Sequence, residues 1–136
     1  MVKVFVDTNI LIYSIYGNSQ QKEKVNAALV AAIEQPVISM QVLKEFANVC
    51  LKKQLHQTIQ ELTGNLLKTS QTFHVSEITV HTLTEAVSLN QQYGFSFYDS
   101  LIIATALEQG CKTLYSEDLQ HGQTIKRKLK IVNPFV

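Results

Sequence analysis

The sequence predicts an α/β fold, a three-layer α/β/α sandwich around a central parallel sheet, and three observations lead there. Short apolar runs alternate along the chain with segments of helical periodicity, the pattern of strands joined by helical crossovers. The first run, Val2 to Val6, is almost unbroken by polar residues, as in a strand buried on both faces. Finally, 136 residues with 46% apolar side chains suit one core, so residues 1–136 form a single domain.

The elements follow in order. Val2 to Val6 ends in Asp7, which places a carboxylate at a strand tip, where the chain opens onto a helix near Thr8. Ser19 is a suitable cap for a helix over about 20–34, in which Val25, Ala28, Leu29, Ala32 and Ile33 recur at helical spacing until Pro36 ends the pattern. Val37 to Ser39 reads as a second strand. From Met40 to about Lys53, Val42, Leu43, Phe46, Val49 and Cys50 form one apolar face, and Glu45 lies between Val42 and Val49 on it. Helices over about 57–70 and 80–93 come next; Gly64 interrupts the first, and Thr and Ser dilute the second. Ser96 to Gln109 is apolar on most sides and is followed by Gly110, as expected of a buried central helix. Lys112 to Tyr115 reads as a third strand and Leu129 to Val132 as a fourth.

Composition narrows the function. The formal net charge is +1, so no global basic field marks a general nucleic-acid coat protein. The one basic cluster is Lys126-Arg127-Lys128 with Lys130. Cys50 and Cys111 belong to no CxxC pair and read as buried thiols in a reducing compartment. The amino terminus fits a signal peptide poorly, and no apolar run is long enough to cross a bilayer, so a cytosolic address without membrane attachment is expected.

The acids carry the chemistry. Eight glutamates but only three aspartates, Asp7, Asp99 and Asp118, are present, and each aspartate falls at a strand end or a helix start. Loops at the carboxyl ends of parallel strands gather on one edge, so topology brings Asp7 and Asp118 to a common rim. Asp99 sits in the first turn of the central helix, where Ile102 and Ile103 at i+3 and i+4 turn it inward, and Glu45 shares that bias. Each acid also has a local structural role open to it: a cap at Asp7, a capping box from Ser96 to Asp99, a turn at Asp118, a helix rim at Glu45. Local roles do not explain four acids meeting. Carboxylates gathered in a partly buried pocket cost several kcal/mol per ion unless protons or cations compensate. Oxygen-only ligands select hard ions, Mg²⁺ or Mn²⁺, which suits a phosphodiesterase site. His56, His74, His81 and His121 lack zinc-site spacing, and no nucleophile elbow or phosphate-binding glycine loop occurs.

Four segments carry a family resemblance: Val6-Asp7-Thr8-Asn9-Ile10-Leu11, Ser39 to Phe46, Tyr98-Asp99-Ser100-Leu101-Ile102-Ile103-Ala104, and Leu114 to Leu119. In order and spacing they resemble the acidic motifs of PIN domains, over residues 4 to about 122, and within that family the VapC-type toxins. The resemblance implies that Asp7, Glu45, Asp99 and Asp118 hold Mg²⁺ or Mn²⁺ and cleave RNA, with Thr8, Asn9 and Ser116 supporting them. It also implies a homodimer and a protein antitoxin. Where some members carry a further acid two positions beyond the fourth, this chain has Gln120, which puts a second metal position in question. Glu117, next to Asp118, could substitute in part, although strand alternation points the two in opposite directions, and Asp118 has the Ser116-x-Asp118 spacing.

A metal-bound water would attack the phosphodiester, with Asp7 or Asp99 as its proton acceptor. An acidic pocket repels RNA, so basic residues near the rim or across a dimer should compensate, and Lys44 beside Glu45 is the nearest candidate. The alternative within the fold is an RNA-binding or scaffold module without cleavage, which four intact acids disfavour. A phospho-acceptor receiver needs its aspartate at the end of a central strand, and a haloacid-dehalogenase-like phosphatase needs Asp-x-Asp where Asp7-Thr8-Asn9 stands.

Overall fold

The structure, a computed structural model, describes residues 3–32 and 34–136. Val2, expected in the first strand, and Ile33, expected on the second helix's stripe, lie outside the described residues. The chain order is β1 (Val4–Val6), α1 (Thr8–Tyr16), α2 (Ser19–Ala31), β2 (Val37–Ser39), α3 (Met40–Lys53), α4 (Ile59–Thr72), β3 (His74–Ser76), α5 (Val80–Tyr93), α6 (Phe97–Glu108), β4 (Thr113–Tyr115), β5 (Thr124–Ile125) and β6 (Leu129–Val132).

The strands form one sheet in the order β3-β2-β1-β4-β6-β5, parallel except for β5. From β1 the chain steps outward to β2 and β3, then crosses back to β4 on the other side of β1. Right-handed crossovers therefore put α1 to α4 on one face and α5 and α6 on the other, which gives the expected three layers. Phe5, Ile10, Leu11, Phe46, Ile103, Leu114 and Ile131 are fully buried between them. Each such side chain contributes about 1.5–3 kcal/mol through its removal from water. Cys50 and Cys111 are buried free thiols, and burial pushes Cys111 up to about 11.

Several boundaries differ from expectation for local reasons. Asn18, not Ser19, caps α2, accepting from the Gln21 amide while the Gln21 side chain returns to the Asn18 amide. That helix ends at Ala31 rather than near residue 34, ahead of Pro36 and β2. The helix predicted over 57–70 runs over Ile59–Thr72, with Thr58 as its cap. Gly94 and Gly110, at φ 80 and 72, end α5 and α6 in the left-handed region.

Two strands have no counterpart in the sequence reading. β3 is a three-residue edge strand with an exposed histidine, too short for its pattern to register. β5 makes an antiparallel hairpin with β6, so the sheet is not purely parallel. The hairpin turns through Lys126 and Arg127 at φ 50 and 59, and Lys128 N–H donates to the Ile125 carbonyl at 3.0 Å. This is the type I′ geometry, ordinarily signalled by Asn-Gly. Replacing the pair with Asn and Gly is expected to stabilise the fold by roughly 1 kcal/mol, read as a higher denaturation midpoint at unchanged slope.

The same hairpin precedes β6, so its basic residues lie at the amino-terminal edge of the parallel strands. Asp7 and Asp118 follow the carboxyl ends of β1 and β4, at the opposite edge. The basic cluster is thus turned away from the acids.

Candidate metal centre

The register of β1 against β4 builds the centre of the site. Val6 pairs with Tyr115, so the next residues, Asp7 and Ser116, emerge side by side where the sheet order reverses. Asp7 N–H donates to the Tyr115 carbonyl at 3.0 Å, and buried Ser116 donates its hydroxyl to Asp7 Oδ2 at 2.9 Å. Asp7 also caps α1, its Oδ1 accepting from Thr8 N–H at 2.7 Å. The capping role and a place in the cleft are held together.

The other acids come from three further segments. Helix α3 starts directly at the end of β2, with Ser39 as its cap, so Glu45 stands on its second turn above the strand edge. Its two carboxylate oxygens accept from Gln41 Nε2 at 2.7 Å and from Thr8 Oγ1 at 3.0 Å. At the start of α6 only half of a capping box forms: Ser96 Oγ accepts from Asp99 N–H at 3.1 Å. The Asp99 carboxylate is left facing the cleft. After β4, Asp118 accepts from Asn9 Nδ2 at 3.0 Å, while Glu117 accepts from Tyr13 OH at 2.7 Å, which pushes the Tyr13 phenol up to about 12. Asn9 and Tyr13 are one turn apart on α1, so the neighbouring acids are received by successive turns of one helix.

Asp7, Glu45, Asp99 and Asp118 line one cleft of about 120 Å³. Thr8 and Asn9 line it too, and Ser116 reaches it through Asp7. Among the described residues its lining contains no lysine, arginine or histidine, and every hydrogen bond cited above to these four carboxylates comes from a neutral donor. Burial, and secondarily the charges of Glu45 and Asp99, raises Asp7 from 3.8 to about 6, against the pull of its bonds from Thr8 and Ser116. The arrangement is open rather than closed: among the described residues no three acidic, histidine or cysteine side chains converge tightly enough to hold one ion. Like charges separate, and Gln41, Thr8 and Asn9 hold Glu45 and Asp118 toward their own sides. An all-oxygen set of carboxylates without a counter-cation is the donor chemistry that hard divalent ions favour.

Gln41 escaped the sequence reading. It is buried, and its Nε2 bridges Glu45 Oε1 and the Tyr98 carbonyl (3.2 Å), tying α3 to the start of α6. The available signal was a glutamine four residues before a candidate acid on one helix. Tyr98, adjacent to Asp99, also lines the cleft.

The family model of the PIN domain matches residues 4–126. The chain belongs to the PIN-domain family. No curated protein matches it in sequence. Solved structures do match, and each is similar in fold to this PIN domain. A toxin–antitoxin complex from Klebsiella pneumoniae shares 24% identity at a TM-score of 0.75, covering 97% of this chain and 98% of that one. VapBC2 from Rickettsia felis, bound to a DNA fragment from its promoter, shares 19% at 0.69, covering 96% and 97%. VapC20 from Mycobacterium tuberculosis, a sarcin-ricin-loop-cleaving toxin, shares 17% at 0.67, covering 85% and 90%.

Proposed function

We propose that this PIN domain is a Mg²⁺- or Mn²⁺-dependent endoribonuclease and the toxin of a toxin–antitoxin pair. The observation that carries the reading is the cleft itself: four acids from four separate segments line it with no cationic side chain among them. Asp7, Glu45, Asp99 and Asp118 are the proposed ligands and catalytic groups. A bound divalent cation would supply charge to the phosphate and a more acidic water. The chain's own residues do the rest. Asp7 or Asp99 would accept the water's proton. Thr8, Asn9 and Ser116, together with Gln41, fix the carboxylates through the hydrogen bonds described above.

The toxin assignment draws on fold likeness to toxin–antitoxin complexes over nearly the whole chain. A protein antitoxin and a homodimer are the proposed partners. Val80, Leu83 and Val87, exposed at helical spacing on α5, offer an apolar face for such contacts. Among the described residues no helix is long and apolar enough to cross a membrane. The expected result is that purified protein degrades unstructured RNA with Mg²⁺ or Mn²⁺ and stops when EDTA is added, with its circular dichroism unchanged. Binding of RNA without cleavage under any divalent cation would favour a scaffold module instead.

A further inference from the structure

The acid cleft shares a wall with a second cavity. Gln41, Glu45 and Tyr98 line both it and a groove of about 540 Å³, whose other sides are Met40, Ile78 and Leu101, with Lys44 and Glu77 also lining it. The cavity among α1, α2 and α4, and those beside the β5–β6 hairpin, share no side chain with the cleft. Like the cleft, this groove opens at the carboxyl edge of the sheet, beyond the ends of β2 and β3.

We propose that the groove is a nucleotide subsite, which receives the nucleoside next to the phosphate in the acid cleft and stacks its base on Tyr98. The inference rests on the ribonuclease reading. A phosphodiester in the cleft carries a nucleoside on each side, so a cavity sharing a wall with the cleft lies on the path of the strand. Tyr98 is 67% exposed. It sits in the first turn of α6, Gln41 holds its carbonyl, and its ring meets Phe97 edge to face at 5.5 Å and 73°. An exposed ring so placed is a stacking platform, and Leu101, one turn on, lies beside it in the groove. Lys44 is exposed and suits the next phosphate, and Glu77 can accept from base N–H groups.

The test uses a short single-stranded RNA, intact or with an abasic residue beside the cleaved bond, and follows both cleavage with Mg²⁺ or Mn²⁺ and equilibrium binding in EDTA. Tyr98→Ala is expected to raise KM and weaken binding roughly tenfold on intact RNA, the scale of one lost base stack, while Tyr98→Phe recovers most of it. The abasic RNA should lose the same factor with the parent protein and lose nothing more with Tyr98→Ala. Equal behaviour of parent and Tyr98→Ala on intact RNA overturns the subsite while cleavage by the parent leaves the nuclease reading standing. A further loss on abasic RNA when Tyr98→Ala replaces the parent, as large as on intact RNA, also overturns it, as does a variant that alters only the oligomeric state, which would make the groove a protein contact. Base-dependent binding through Tyr98 without any cleavage would keep the subsite and sink the nuclease.

Discussion

Asp7→Asn is expected to lower metal-dependent RNA cleavage by on the order of 10²-fold or more, because a ligand carboxylate supports several kcal/mol of transition-state charge through the cation. Asn keeps the size of the side chain and an oxygen for the Thr8 amide, so the α1 cap survives while the charge is removed. Asp99→Asn should fall as far. Its carboxylate makes no capping bond, and only its backbone amide is used by Ser96. The measurement is single-turnover cleavage at saturating Mn²⁺, with circular dichroism to verify folding. Persistent cleavage by Asp99→Asn would remove that residue from the site. If Asp7→Asn were inactive only because it unfolds, dichroism would reveal it.

The same Asp7→Asn substitution is expected to stabilise the metal-free protein at pH 7 to 8. Asp7 titrates at about 6 in the folded chain against an ordinary value of 3.8, so between those values the native state binds the extra proton. The stabilisation from that proton is complete below about pH 3.8 and is lost as pH rises through about 6. Above that, ionised Asp7 weakens the fold by up to about 3 kcal/mol, less whatever water and relaxation recover. Removing the charge should then raise Tm by roughly 3–10 °C. The parent's stability should fall from pH 5 to pH 8, and that of Asp7→Asn should vary less over the interval. Mg²⁺ or Mn²⁺ should restore the parent and leave the variant nearly unmoved. A large fall in Tm for Asp7→Asn at pH 8 would mean that the cap outweighs the buried charge.

Much of this was written in the chain. The apolar runs ending at Val6 and Ser39, the helical face through Phe46, and the near-continuous apolar segment before Gly110 specify their elements through local periodicity. That periodicity also assigns Asp7 to a strand end and Asp99 to a first turn. The PIN-domain membership follows from four short segments whose spacing is linear information. Elements with weak local signals were not legible: β3 is three residues at an edge, and the β5–β6 hairpin turns through Lys126-Arg127 without the residues that usually announce it.

By itself the sequence determined which side chains are available and on what kind of element each sits, because propensity and hydrophobic period act over a few residues. Only the tertiary structure decided who meets whom. The register of β1 on β4 sets Ser116 against Asp7, α1 receives Asp118 and Glu117 on successive turns, and Gln41 joins two helices that are distant in the chain. It also turned the basic hairpin to the far edge of the sheet and opened a groove beside Tyr98. These pairings depend on strand order and crossover handedness, which burial of the whole core selects and no short stretch of residues encodes.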